Sequence, residues 1–501
     1  MTHTHPQIRF MVSRLLRVAA LALCVVAVDA SGRLACAQSC SGDVNGDGQV
    51  NGGDLATMLG QWGECPPVVT GVTPSHGSLS GGTRITVTGT RLDQVSAAYV
   101  GGNPCKLLVG SPTELLLETP PGELGDAAIA VETWSGQMVT STVSFTYVLQ
   151  AITSVSPNVG SPLGGATITI SGTHLGGTTL VTIGGIPATN LVAVDANTVT
   201  AVTPAGSSGA QQVLAFSPKG IAALPAGFTY LTIPAWATMI EALPDPAIVV
   251  DETLRARIMS SGFAWRVKHT ATQIEMLLVP PGNFAMGCSP STAFPCDFFE
   301  SPVHQVTLTN AFYIGRYEVT QSQWQARMGS NPALYQSASD APSHPVEQVS
   351  WNAIQGFLTS TAMRLPTEAE WEYAYRAGTT TAFHSGPGFP NGTNDDALAP
   401  LIAWYSQAAT FSTVAVGGKA SNAFGCHDMG GNVQEWVADS LGVYGAGAVT
   451  NPIGPPATGV NMYRGGSWYF DSGNVRASFR YGTSNTYSSS DLGFRVAKNP
   501  F

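Results

Sequence analysis

Charge is scarce in this sequence: Asp, Glu, Lys and Arg make up 11% of 501 residues, against about 25% in an average globular protein. Cations are the scarcer sign, with 22 Lys and Arg against 32 Asp and Glu and a net charge of −10. Binding to nucleic acid or to an anionic membrane needs clustered Lys and Arg, so no nucleic-acid partner is expected. Long apolar runs are missing too. Beyond the N-terminus no stretch reaches the roughly 20 residues that a membrane span requires, so no membrane span is expected. Cysteine is sparse, eight in all, with none after Cys426. Glycine (56) and proline (33) are plentiful, which favours turns, short strands and irregular connections over long helices. A chain of this length exceeds a single core, and three or more domains are expected.

The N-terminus has the order of a secretory signal. Arg9, Arg14 and Arg17 precede the apolar stretch Val18 to Val28, and small-residue cleavage sites follow before Ser31 and before Gln38. Taking the second, residues 1–37 are a signal peptide and the protein is secreted or held at the cell surface. Six cysteines then remain in an oxidising compartment, where disulfides form. Cys40 with Cys65, and Cys288 with Cys296, are close enough in sequence to be local pairs, whereas Cys105 and Cys426 are expected as free thiols.

Residues 38–66 carry Asp43-Val44-Asn45-Gly46-Asp47-Gly48-Gln49-Val50-Asn51-Gly52-Gly53-Asp54. Calcium is a hard cation that takes six or more oxygens. Asp43, Asn45, Asp47 and Asp54 stand at loop positions 1, 3, 5 and 12, the carbonyl of Gln49 adds another donor, and Gly48 stands at the sharp turn. Leu55, Met58, Leu59 and Trp62 follow at helical spacing. The segment resembles one half of a dockerin repeat, a single EF-hand-type module. Dockerins that bind cohesins carry two such repeats, so a calcium-stapled module closed by Cys40 and Cys65 is expected in preference to a cohesin-type partner.

An internal repeat comes next. Gly81-Gly82-Thr83 recurs as Gly164-Gly165-Ala166, Thr73-Pro74 as Ser156-Pro157, and Phe145-Thr146-Tyr147 as Phe228-Thr229-Tyr230. Apolar and small polar residues alternate in Ile85-Thr86-Val87-Thr88-Gly89 and in Ile168-Thr169-Ile170-Ser171-Gly172, a period of two that argues antiparallel β-sandwiches. Residues 67–148 and 149–232 resemble IPT/TIG domains, an immunoglobulin-like family. Some relatives bind DNA, but cations are too few here, and a spacer or adhesion role is expected. Residues 233–272 read as a linker with a short helical run from Asp251 to Met259.

Residues 273–501 carry an ordered series of motifs. They run from Phe284-Ala285-Met286-Gly287 through Arg364-Leu365-Pro366-Thr367-Glu368-Ala369-Glu370-Trp371-Glu372 and Asp428-Met429-Gly430-Gly431-Asn432-Val433-Gln434-Glu435-Trp436. Arg464-Gly465-Gly466-Ser467-Trp468 and Gly493-Phe494-Arg495 complete them. In order and spacing this is similar to the formylglycine-generating enzyme (sulfatase-modifying factor) family. The resemblance implies an α+β, C-type-lectin-like fold with much irregular chain. The one convincing helix spans Thr367 to Ala377, with Thr367 as N-cap and Glu370 three residues on. Trp371, Trp436 and Trp468 are expected as buried anchors, and Arg464, Arg480 and Arg495 as loop ties.

The resemblance also implies a calcium loop with side-chain oxygens from Asp428 and Glu435 and carbonyls from Gly431 and Val433. The family's other calcium loop would fall near residues 402–411, which are poor in carboxylates, and no second metal is expected there. Family enzymes hold copper(I) on two thiolates, soft ligands for a soft ion. The first lies three residues after the Ser of the GGSW motif and the second five beyond. Those positions hold Phe470 and Val475, which argues against copper and leaves no catalytic residue assigned. Ser467, Tyr469, Asp471 and Arg480 are the candidates for a ligand groove. The expected role is binding of a glycan or protein, or a structural one. The alternative is a divergent oxidase of the same family acting on exported proteins.

Overall fold

A computed structural model describes residues 66–217, 220–407 and 411–501, with the short pieces 27–28, 34–36, 51–53, 56 and 63–64 before them. The apolar run Val18 to Val28 lies outside the described residues except at its end. So do Asp43, Asn45, Asp47, Gln49 and Asp54 of the EF-hand-type loop, and Cys40 and Cys65. Among the described residues no helix is long and apolar enough to cross a membrane.

The two repeats each form a β-sandwich. In the first, the strands Val68–Thr73, Arg84–Thr90, Glu114–Glu118 and Lys106–Gly110 make one sheet in that order. The other sheet runs His76–Ser78, Met138–Val148, Gly125–Thr133, Val95–Val100, Asn103–Pro104. Period-two alternation sends Ile85, Val87, Leu115, Leu117, Ile129 and Val131 inward, where all are buried. The second sandwich repeats the order from Ala151–Ser156 to Gly220–Tyr230, with Ile168, Ile170, Val199 and Val213 in its core. The repeated glycine explains itself. Gly81 has φ 75° and Gly164 φ 74°, and a Cβ on either would lie 2.5 or 2.4 Å from the backbone of Pro120 or Pro204. The repeated tyrosine ties the same turn, since Tyr147 and Tyr230 each donate a hydroxyl hydrogen bond of 2.6 Å to Pro120 O and Pro204 O.

Among its described residues the C-terminal domain holds four helices: α1 (Glu252–Ser260), α2 (Gln321–Met328), α3 (Trp351–Thr361) and α4 (Glu368–Arg376). Capping signals are intact at their starts. Asp251 accepts from Leu254 N, and Thr320 and Thr367 form capping boxes with Gln323 and Glu370. The sequence reading missed α2 and α3, although Thr320 and Gln323 carry the capping-box signal of α2 and Ile354, Phe357, Leu358 and Thr361 stand at helical spacing in α3. Three small sheets complete the domain. The largest runs Ala237–Glu241, Arg266–His269, Glu275–Val279, Phe312–Gly315, Ala497–Lys498.

That sheet corrects the reading of residues 233–272 as a linker. Ala237–Glu241 pairs with Arg266–His269, and Val249, Leu254, Ile258, Phe263 and Trp265 are buried in the same core as Trp371 and Trp436. The segment looked like a linker because its prolines broke the pattern. Its apolar residues nevertheless complete the domain. Trp324 stacks on Phe357 at 5.6 Å, and Phe494 meets both rings edge-on, so α2, α3 and the C-terminal segment share one aromatic contact.

Candidate functional site

Irregular chain needs anchors, and here they are buried ion pairs. Glu372 on α4 accepts from Arg376 at 2.7 Å and from Arg464. Arg480 grips Glu368 with two hydrogen bonds of 2.7 Å, and Arg476 holds Glu300 at 2.7 Å. Arg495 grips Glu435 at 2.6 Å, and Trp371 Nε1 donates to the same carboxylate at 2.7 Å. These guanidiniums also donate to loop carbonyls, Arg464 to Ala477 O and Ser478 O and Arg495 to Gly315 O. Arg464, Arg480 and Arg495 are thus the loop ties expected from sequence. The Cys288–Cys296 disulfide is formed, and Cys105 and Cys426 are free thiols.

The GGSW loop leaves the strand Val460–Arg464 and returns in Arg480–Ser484. Gly466 has φ 63°, and a Cβ there would lie 2.6 Å from Asn474 O, so the loop folds tightly on itself. The four residues expected to line one groove are not brought together as one. Ser467 is fully buried and donates to Asp491 Oδ2 at 2.9 Å. Arg480 is buried too, stacked 3.9 Å from the Tyr444 ring and committed to Glu368. Only Tyr469 and Asp471 are exposed, and Asp471 caps the turn Ser472–Val475 by accepting from Gly473 N. The reason is partnership in the interior: Asp491 draws Ser467 inward and Glu368 draws Arg480 inward.

What the loop does present is aromatic. Tyr335, Trp468, Tyr469 and Phe470 form a row with successive ring centroids 5.6, 5.6 and 5.4 Å apart, each pair edge to face. Tyr469 is 64% exposed, and its ring is the row's outer surface. Phe470 is half-buried and Val475 fully buried in a small apolar cluster with Phe383, Ile402 and Tyr405. Both are hydrocarbon where a soft ion would need sulfur. The domain's free thiol, Cys426, is buried, and burial pushes it up to about 11, so it is not a thiolate at neutral pH. Copper(I) therefore does not fit these residues. Sequence reasoning missed Tyr335, which lies more than 130 positions from the loop and joins it only through folding.

The loop from Asp428 to Glu435 packs three buried carboxylates, Glu318, Asp428 and Glu435. Burial raises Asp428 to about 6 and raises Glu318, with Asp428 as the next cause for the latter. Asp428 Oδ2 accepts from Gly417 N at 2.6 Å, while its buried Oδ1 has no partner. Glu318 accepts from Val433 N and Asn432 Nδ2. Gly431 N donates to Gly465 O. Of the three acids only Glu435 has an ion-pair partner among the described residues. No three His, Cys, Asp or Glu side chains among the described residues form a metal-holding group, so a hard cation would draw on backbone carbonyls as well.

Comparison with known proteins gives two results. Residues 264–500 match the Sulfatase-modifying factor enzyme 1-like domain, and residues 67–147 and 151–230 match the IPT/TIG domain. The chain is 29% identical over 326 residues to the formylglycine-generating enzyme of Streptomyces coelicolor, covering 52% of this chain and 97% of that enzyme. It is also 29% identical over 252 residues to the serine/threonine-protein kinase pkn1 of Chlamydia caviae, 45% of this chain but 38% of the kinase. Among solved structures, Treponema denticola variable protein 1 is 27% identical with a TM-score of 0.41, over 46% of this chain and 98% of that one.

Proposed function

Because residues 264–500 are a sulfatase-modifying factor enzyme 1-like domain behind two IPT/TIG domains, we propose that this domain binds a ligand and does not oxidise one. The observation that carries the reading is the pair Phe470 and Val475, hydrocarbon at the positions where the enzymes carry thiolates. The ligand surface is the aromatic row of Tyr335, Trp468, Tyr469 and Phe470. The exposed ring of Tyr469, backed by Tyr335, Trp468 and Phe470, suits the apolar face of a glycan or a side chain of a protein. The IPT/TIG domains act as spacers or adhesion modules, and the whole protein works after export.

Calcium belongs to the same reading. The unpartnered Asp428 Oδ1 and the surplus of buried carboxylates over guanidiniums support a cation held by Asp428 and Glu435 with the carbonyls of Gly431 and Val433. The EF-hand-type loop from Asp43 to Asp54 is the second site. Calcium would staple these loops, which stabilises the fold by its binding energy.

Titration of the full chain with copper(I) under a competing chelator separates binding protein from oxidase. No tight copper binding and no aldehyde on cysteine peptides are expected. Stoichiometric copper together with aldehyde formation would instead make it an oxidase. On a glycan and protein array, Tyr469→Ala should abolish capture of the ligand that the native chain retains. A chelator should lower the melting temperature, and Asp428→Asn should shrink that drop.

A further inference from the structure

A concavity lies apart from the aromatic row. It is a cleft of about 1060 Å³ whose walls come from α1 and the loop before it, the strand Gly282–Met286, the end of α4 with residues 377–391, and residues 420–424. That volume is at the upper end for ligand sites. One wall, residues 247–257, lies before the stretch 264–500 that matches the family domain.

Its chemistry is specific. Arg257 Nη2 donates to Pro281 O and to the Tyr373 hydroxyl, both at 2.7 Å, which fixes the guanidinium. Among the described residues its Nε and Nη1 make no hydrogen bond, and no carboxylate lies within ion-pairing distance of it. The one carboxylate on the walls, Asp251, is turned to cap α1. Arg376, the other cation there, is committed to Glu372. With Nη2 held by those two acceptors, the free Nε and Nη1 each offer separate charge-assisted donors, enough for a single-oxygen contact with a carboxylate.

Around it stand the exposed Thr253, Asn283, Thr380 and Asn391 and the half-buried Ser421, whose side chains make no hydrogen bond among the described residues. Below them Phe284, Tyr373 and Phe424 form an aromatic floor with centroids 5.3 and 5.7 Å apart. Uncommitted hydroxyls and amides, an apolar floor and a single open guanidinium match a ligand that is polyhydroxylated, has apolar faces and carries a carboxylate. We propose that this cleft binds an acidic oligosaccharide, with Arg257 gripping a uronic-acid carboxylate.

Calorimetric titration of the full chain with trisaccharides of galacturonate, glucuronate and mannuronate, and with their methyl esters, tests this. At least one acid form should bind, its ester about tenfold more weakly, as loss of a charge-assisted hydrogen bond predicts. Arg257→Gln and Asn391→Ala, from different segments of the lining, should each weaken the acid form, with melting temperatures checked for intact folding. Tyr469→Ala should leave it unchanged, which separates this cleft from the aromatic row. Three results would overturn the proposal. One is no binding of any uronate. Another is affinity unchanged in Arg257→Gln. The last is Arg257-dependent binding of a carboxylate-ended tripeptide without any sugar.

Discussion

Glu372 is the residue on which the C-terminal domain's charge network turns. It is fully buried and serves both Arg376 and Arg464. Removing one member of a buried pair leaves a charge without its counterpart and costs about 3–5 kcal/mol. Glu372→Ala should therefore lower the unfolding free energy of this domain by that order, read as a lower urea midpoint, while Glu370→Ala, whose partner Arg364 is one-third exposed, should cost much less. Asp439 gives a pH prediction. Burial raises it to about 7, with the Glu368 carboxylate as the next cause, opposed by the Glu368 backbone N–H and by Arg480, and Glu370 adds to the rise. Its folded form holds the proton more tightly than an unfolded aspartate, which titrates near about 3.9. The folded state then binds more protons between about pH 4 and 7, and stability falls as pH rises through that window. Asp439→Asn keeps an oxygen for the Glu368 N–H and removes the titration. Urea melts at pH 5 and pH 8 should show a smaller loss in the variant than in the native chain.

At the scale of single elements, the repeated Gly-Gly turn of the sandwiches separates two kinds of constraint. Gly81 and Gly82 both have positive φ, but a Cβ on Gly81 meets the Pro120 backbone at 2.5 Å whereas one on Gly82 meets nothing within 4 Å. Gly82→Ala should cost about 1 kcal/mol, the strain of the left-handed region alone. Gly81→Ala should cost clearly more, because backbone must move, and the difference is readable in the melting of the first sandwich. Period-two alternation made these strands legible, and α4 was legible from its capping box. The signals of α2 and α3, a Thr320/Gln323 capping box and the stripe Ile354, Phe357, Leu358 and Thr361, were present but passed over. Their packing partners, Phe494 for Trp324 and Val437 O for Trp351 Nε1, are far away in sequence.

For the whole molecule the boundary of the C-terminal domain is the testable point. A chain beginning at residue 270 lacks Ala237–Glu241, α1 and Trp265, all joined to the main core. It should fail to give a cooperative melt or should aggregate, while a chain beginning near residue 231 should melt as one unit. Circular dichroism on the two distinguishes them, and equal stability would mean that residues 233–269 are dispensable.

Several features were decided by the sequence alone. The sandwiches follow from alternation, from a doubled turn that only glycine can make and from a tyrosine repeated at a fixed place. The C-terminal family follows from long motifs in order, and Phe470 and Val475 follow from counting along one of them. Each of these is local, a matter of which residue types stand at short separations. Tertiary structure decided the rest. It drew residues 233–272 into a core, took Ser467 and Arg480 out of the groove they were expected to line, and brought Tyr335 to the end of the row that starts at Trp468. The physical reason is common to all of them. Burial and ion pairing act between side chains that meet in space, and a guanidinium such as Arg480, dispersed among apolar residues in the sequence, shows its carboxylate only when the chain has closed around it.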